Sequence, residues 1–198
     1  RDALTIWEAR EKARRVRSQA DDWEDRGLSE RCITRNGLPG EMLGSGQQPL
    51  KEIVQTPGYV SIVMAYGYVR IIPVAEQDPL GAAIRQWNGD SRGHWEGNTL
   101  VVETANFSEK SRHRFPSSRN MRSVERFTRV SDQLIDYEFT IEDPEVYTSA
   151  WTAVRPMPAL DDYKIYEYAC HEGNYAMFNI LRGARVQEAA AKAARENN

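Results

Sequence analysis

The sequence predicts a mainly β protein, an antiparallel up-and-down barrel of about eight strands with a helix at each end. Three observations support this. Short segments rich in Val, Ile and Tyr follow one another from residue 52 onward, turns of hairpin length separate most of them, and no helical crossover intervenes. In "QLIDYEFTI", residues 133–141, apolar and polar side chains alternate, as in a strand with one core face and one solvent face.

The first predicted element is an amphipathic helix over residues 3–25, in which apolar residues recur near helical spacing among many charges. Gly27 follows as a stop signal. We assign residues 1–27 to an N-terminal helical extension. It is expected to pack on the outside of the domain or on a second subunit.

Residues 33–50 hold four glycines and two prolines and are predicted to form a long loop. Such a loop in a compact domain often forms the rim of a site. Its glycines lack the order of a phosphate-binding motif.

The β domain is assigned to residues 28–185, and a hairpin with a tight turn at Gly97-Asn98 is its clearest signal. A second hairpin turns at Ser131-Asp132. The predicted strand segments are 52–56, 59–66, 68–74, the hairpin 94–107, then 121–130, 133–142, 149–157 and 163–170, with a loop over 75–93. An alanine-rich helical tail takes up residues 186–198 and, with the N-terminal helix, offers a surface for a homo-oligomer.

Composition limits the partners. Of the 198 residues, 28% are charged and 40% hydrophobic, with a formal net charge of −3. This balance gives no reason to expect a nucleic acid or an anionic membrane as partner. No apolar run reaches the ~18 residues of a membrane span.

Two cysteines, Cys32 and Cys170, leave three interpretations open. A disulfide between them would close a long loop and, by chain entropy, stabilise the fold by about 4–5 kcal/mol. The alternatives are two unrelated buried thiols or a reactive Cys170. The spacing favours the disulfide over a redox or zinc motif.

"NGDSRGHW" is the densest polar segment, and Asp90, Arg92 and His94 alternate along it. In an extended chain their side chains point to one side, which suits an anion-binding cluster with a titratable group. The alternative is that Asp90 and Arg92 brace the loop that enters the hairpin.

Glu103 lies between Val101 and Ala105 on one face of its strand, and Arg126 shares a face with Val124 and Thr128. Either residue could be a polar group of the barrel interior or part of an exterior salt bridge.

His171 and Glu172 follow Cys170 at the barrel rim and have the parts of a general base and its orienting carboxylate. A rim histidine without a role is the alternative. In a reaction, His171 or His94 would move a proton, Glu172 or Glu103 would orient it, and Arg92 or Arg126 would hold an oxyanion.

Aromatic residues would supply the apolar walls of a ligand-binding interior; the candidates are Tyr66, Trp87, Trp95, Tyr137 and Trp151. The sequence thus predicts a barrel that receives a small polar or aromatic molecule, as a cofactor-free lyase, dehydratase or isomerase. The alternatives are a non-catalytic small-molecule binding protein and a structural subunit. The spacing of His94, His113 and His171 supports no metal site, and no cofactor is expected.

Several strings, among them "RCITRNGLPG", "GDSRGHWEGNTLVVETANF", "VERFTRV" and "YEYACHEGNY", resemble a large, functionally unassigned family of exported bacterial proteins. The resemblance covers roughly residues 31–183 and departs from the family pattern at Asn98, where an aspartate is usual. It implies a lipocalin-like barrel, a removed signal peptide and a periplasmic or secreted location. A chain that begins "RDALTIW" fits such processing, and equally a trimmed chain.

Overall fold

A computed structural model describes residues 5, 8, 9, 12, 20–43, 50–111 and 113–197. The described chain is mainly β, as predicted. Its strands are β1 (Lys51–Thr56), β2 (Tyr59–Met64), β3 (Val69–Pro73), β4 (Asp90–Glu96), β5 (Thr99–Ala105), β6 (Arg122–Ser131), β7 (Leu134–Glu142) and β8 (Trp151–Pro158). Two short 3-10 helices, Trp23–Asp25 and Gly40–Leu43, precede the strands, and a C-terminal α-helix (Tyr175–Glu196) follows them.

The strands form two antiparallel sheets, one in the order β1-β2-β3 and one in the order β4-β5-β6-β7-β8. Every strand pairs with its neighbour in sequence, except that β3 and β4 lie next to each other without a shared ladder. The antiparallel, consecutive order agrees with the prediction. The described strands pair as two sheets, whereas a closed barrel is one continuous sheet.

Glycines with positive φ form tight turns between paired strands. Gly97, with φ of +62°, and Asn98 connect β4 to β5, which confirms the predicted hairpin. Gly58, with φ of +79°, turns β1 into β2. β4 begins at Asp90, earlier than the predicted start at residue 94, so the "DSRG" string belongs to a strand and not to the loop before it.

The hydrophobic core lies between the inward faces of the two sheets. Val60, Ile62 and Ile72 come from the first sheet, and Phe127 and Phe139 belong to the second. Burial alternates along β6 and β7 as the sequence predicted, because successive side chains of a strand point to opposite faces.

Cys32 and Cys170 form a disulfide with a Cα–Cα distance of 5.8 Å, which confirms the favoured interpretation. The described residues hold no free cysteine, so the two-thiol and reactive-thiol alternatives are wrong.

The predicted strand over residues 163–170 is wrong, because this segment forms no strand. β8 ends at Pro158, and the chain turns at residues 161–162 before the tyrosine-rich stretch. Tyr163 and Tyr166 are 60% and 76% exposed. A strand requires a paired neighbour and a surface to cover, and strand propensity alone supplies neither.

The terminal helices differ from their predicted bounds. The C-terminal helix begins at Tyr175, capped by Asn174, whose side chain accepts a hydrogen bond from the Met177 N–H at 3.3 Å. It therefore crosses the predicted boundary between residues 185 and 186. Thr5, Glu8, Ala9 and Lys12 are helical, but the rest of the predicted helix before Ala20 lies outside the described residues, and residues 20–22 are not helical.

The two ends of the described chain meet at the C-terminal helix. The Arg185 guanidinium donates hydrogen bonds to the carbonyl oxygens of Ala20 and Asp21, each at 2.8 Å. In the part of the chain that the structure describes, no helix is long and apolar enough to cross a membrane.

Candidate functional site

A buried ion pair joins the two sheets across the core. Arg70 of β3 donates to both carboxylate oxygens of Glu125 of β6, at 3.0 and 2.6 Å, and both side chains are at most 2% exposed. Bidentate geometry of this kind satisfies both charges and fixes their orientation.

Hydroxyl groups complete this network. Arg70 also donates to Ser91 and Thr104, at 3.0 and 2.9 Å, and the Tyr137 hydroxyl donates to Glu125 at 2.8 Å. Burial, together with the Glu125 carboxylate, raises the pKa of Tyr137 well above its usual value, so the hydroxyl keeps its proton and remains a donor. The network joins the sheets and leaves neither charge without partners.

Sequence reasoning missed this network, although the signal was present. Arg70 alternates with Ile72 on the inward face of β3, and Glu125 alternates with Phe127 on the inward face of β6. A charged residue on each of two core faces is itself a prediction of a buried pair, because an unpaired buried charge is too costly.

A cavity of about 1100 Å³, here called the β1–β8 cavity, opens where residues of the first strand face the last strand and the chain after it. Its floor is formed by fully buried core residues, among them Ile62, Leu100 and Phe127. Trp95 and Met157 contribute further apolar surface. A concave, mainly apolar surface of this size is typical of small-molecule sites.

Two cations, Lys51 of β1 and Arg155 of β8, line the same cavity. Burial, reinforced by the Arg155 charge and opposed by Glu41, lowers the pKa of Lys51 to about 8. The lowered value reflects an ammonium group that has lost hydration beside a second positive charge. An anion at this point would relieve both effects.

A second cavity, of about 590 Å³ and here called the disulfide cavity, is lined by Cys32 and Cys170. The loop that carries Thr34 and Glu41 forms one wall, the Tyr66–Tyr68 turn another, and the start of the C-terminal helix a third. At Gly67, with φ of +75°, a side chain would also approach the Tyr168 carbonyl oxygen, to 3.2 Å. Glycine allows this turn to pack against the segment before the disulfide.

The disulfide cavity is rich in tyrosine. Tyr66 and Tyr168 meet edge to face at 6.1 Å, and the Arg35 guanidinium packs over the Tyr66 ring at 4.3 Å. Burial raises the pKa of Tyr68, whose hydroxyl is hydrogen-bonded to the side chain of Asn88. The predicted rim loop thus contributes Arg35 and Glu41 to a cavity, while residues 44–49 of it lie outside the described residues.

Asp90 and Arg92, two members of the predicted anion-binding cluster, hold a loop in place. Asp90 accepts a hydrogen bond from the Leu80 N–H at 2.9 Å and is ion-paired with Arg92. Arg92 also donates to the Asp78 carbonyl oxygen at 3.2 Å. This arrangement matches the bracing alternative, and neither residue lines one of the two cavities.

His94, Arg126 and Glu103 lie on the outer surface of the five-stranded sheet. Glu96 pairs with His94 at 3.2 Å and with Arg126 at 2.7 Å, and Glu103 pairs with Arg122. These contacts match the exterior salt-bridge alternative. The polar interior is formed by the inward residues of the same strands instead.

His171 and Glu172 are exposed in the turn after the disulfide, and neither lines the β1–β8 cavity or the disulfide cavity. The structure therefore does not bring them together with His94 or Glu103 at a common cavity. Among the described residues, no group of three or more His, Cys, Asp and Glu side chains is arranged to hold a metal ion.

The predicted aromatic residues are distributed over several places. Tyr66 lines the disulfide cavity and Trp95 the β1–β8 cavity. Tyr137 belongs to the buried network, and Trp151 packs edge-on to Phe139 at 5.6 Å. Trp87 is half-buried, and its carbonyl oxygen accepts a hydrogen bond from the Ser111 hydroxyl at 2.6 Å.

His113 is a half-buried histidine that lines neither the β1–β8 cavity nor the disulfide cavity. Its Nδ1–H donates to the Leu38 carbonyl oxygen at 2.9 Å, and its ring meets Phe107 edge to face at 4.8 Å. Burial lowers the pKa of His113 to about 4, because a charged imidazolium would lose its hydration there.

Among the described residues, the fold and its cavities define a class, a two-sheet antiparallel β protein with a disulfide and cavities large enough for small molecules. Comparison of the chain with family models, with curated proteins and with solved structures found no match.

Proposed function

We propose that this protein is a non-catalytic binding protein for a small molecule with an apolar body and one anionic group, held in the β1–β8 cavity. The observation that carries the proposal is the pair of cations, Lys51 and Arg155, on the lining of a cavity floored by core residues. An apolar body would cover the floor, and the anion would lie between the two cations.

The lining carries four cations, Lys51, Arg129, Arg155 and Lys164, against three acidic side chains, Glu52, Asp132 and Asp161, so the acids do not cancel this preference. Arg129 is ion-paired with Asp132 at 2.9 Å, so these two charges compensate each other. Both Lys51 and Arg155 remain close enough for the arginine to lower the lysine pKa. The local balance at this pair therefore favours an anion.

Binding without turnover is proposed because the candidate acid–base groups lie elsewhere. His94, His171 and Glu172 are exposed and line neither cavity. The lyase or isomerase reaction stays a prediction that would need a site outside these cavities.

The disulfide supports an oxidising location, the periplasm or the exterior of the cell, because such bonds are rare in reducing compartments. The consecutive strand order supports the lipocalin-like barrel implied by the family resemblance, in which the β1–β8 cavity would be the open side.

The test is isothermal titration calorimetry of the purified protein with octanoate, naphthalene-2-sulfonate and the neutral analogue 1-octanol. We expect saturable binding of the two anions and at least about tenfold weaker binding of the alcohol. Lys51→Met keeps the stem and removes the charge, so it should weaken octanoate binding about tenfold or more.

Lys192→Met is the matched control, since Lys192 lies on the C-terminal helix and its side chain is 79% exposed. Equal affinities of the two lysine variants would contradict the proposal. So would the absence of saturable binding of either anion by the folded protein.

A further inference from the structure

The disulfide cavity is lined by the buried carboxylate of Glu41, of which only one oxygen accepts hydrogen bonds within the described part of the chain. Glu41 is 7% exposed. Its Oε1 accepts hydrogen bonds from the Arg35 backbone N–H, at 2.8 Å, and from the Thr34 hydroxyl. Its Oε2 is buried, and no described residue donates a hydrogen bond to it.

The neighbouring polar groups are also short of donors. The Thr34 hydroxyl contacts Asn88 Oδ1 at 3.1 Å as well as Glu41 Oε1, but it has only one hydrogen to give. The Thr34 hydrogen is therefore shared between two acceptors, of which Glu41 Oε1 also accepts from the Arg35 N–H, whereas Glu41 Oε2 has no donor among the described residues. A buried acceptor without a partner is destabilising, and a ligand can remove that cost by supplying an N–H or O–H group.

The charges around the cavity point to a cationic donor. Arg26 is paired with Glu30, and Arg35 is packed on the Tyr66 ring. The Lys51 ammonium lies close enough for Glu41 to raise its pKa, yet it makes no hydrogen bond to Oε2. Glu41 thus keeps an unsatisfied oxygen, and it lines the same cavity as Tyr66, Tyr68 and Tyr168. Tyrosine faces attract organic cations.

The remaining surface suits an apolar body. Met64, Met177 and Ile180 line the same cavity. A volume of about 590 Å³ is sufficient for a molecule with one aromatic ring.

We propose that the disulfide cavity is a second site, which binds a small primary amine in its ammonium form, with an N–H group donating to Glu41 Oε2 and the apolar body against Met177 and Ile180. This site shares no lining residue with the β1–β8 cavity and selects for the opposite charge.

The experiment is calorimetric titration of the oxidised full chain at pH 7 with benzylammonium chloride, with benzyl alcohol and phenylacetate as analogues of equal size. We expect saturable binding of benzylammonium and at least about tenfold weaker binding of both analogues. Glu41→Gln keeps the side-chain shape and the Oε1 acceptor, so it should weaken benzylammonium binding by a similar factor.

Met177→Trp is the second variant, because it fills the cavity from the helix side and leaves the Glu41 contacts in place. Met177→Trp should abolish benzylammonium binding and leave octanoate binding in the β1–β8 cavity unchanged. If Glu41→Gln fails to fold, Met177→Trp alone tests the second site. Lack of benzylammonium binding by the folded wild type would overturn the proposal. Equal binding of benzylammonium and phenylacetate, or full affinity in either folded variant, would do the same.

Discussion

Arg70 of β3 and Glu125 of β6 form a bidentate ion pair that is buried from solvent and links the three-stranded and five-stranded sheets directly. Because the strands β3 and β4 share no ladder, this pair and the apolar core around it hold the sheets in register. Its loss should therefore affect the whole fold.

Glu125→Gln should destabilise the protein by about 3–5 kcal/mol, because it leaves the Arg70 charge buried without a counter-charge. Glutamine keeps an acceptor for the Tyr137 hydroxyl, so the effect isolates the charge. The double variant Arg70→Met with Glu125→Gln should recover part of the loss. The measurement is urea unfolding of the three proteins.

The exposed pair between Glu96 and Arg126 provides the control. Glu96→Gln should leave the unfolding midpoint nearly unchanged, since solvent screens such pairs. A double variant less stable than Glu125→Gln alone would contradict the account of the buried charge.

Removal of the disulfide by Cys32→Ser with Cys170→Ser should lower the free energy of unfolding by about 4–5 kcal/mol. The two cysteines are 138 residues apart, and the estimate follows from the entropy of closing so long a loop. For the wild type, dithiothreitol should lower the free energy of unfolding by the same amount. For the variant, it should leave the free energy of unfolding unchanged.

His113 should make the protein sensitive to acid. Its pKa is about 4 in the folded chain against an ordinary value of 6.5, so the unfolded state binds more protons between these values. Stability is therefore full above pH 6.5 and falls as the pH decreases toward 4, by on the order of 3 kcal/mol. His113→Gln should flatten the stability profile in this window.

The comparison is made by urea unfolding at intervals from pH 7 to pH 4. Other groups contribute equally to both proteins, so the difference between the two curves reports His113. Parallel curves would show that the imidazole does not resist protonation in the fold.

Anion binding should weaken as the pH rises through about 8, because Lys51 then loses its proton and its charge. A bound anion favours the protonated form, so the midpoint with octanoate should lie above the value of the free protein. Titrations at pH 6.5 and pH 9.5 measure the effect. The pH dependence should be absent in Lys51→Met, and its persistence there would place the titrating group elsewhere.

The fold class followed from the sequence because alternation reports directly on which side of a strand is buried, as at Tyr137 and Phe139. The prediction of a strand over residues 163–170 was wrong because the segment has the composition of a strand but no neighbouring strand to pair with in the described chain. Strand pairing depends on the whole fold and cannot be read from local composition.

The polar residues show the same difference between what the local sequence predicts and what only the fold determines. The sequence indicated Glu103 and Arg126 as candidates, but both lie on outward faces, where they are ion-paired with Arg122 and Glu96. Glu41 lines a cavity together with the disulfide segment, and Lys51 lines a cavity together with β8. Both of these partner segments are distant in the sequence. Only the assembled fold brings those parts to one cavity.

The bond between Cys32 and Cys170 encloses every strand from Lys51 to Pro158 in a single covalent ring. A protease that cuts one exposed hairpin turn would open that ring without producing two separate fragments. The nicked chain would migrate as one species on a non-reducing gel and as two after reduction. A single cut in such a turn would therefore leave the two sheets covalently joined.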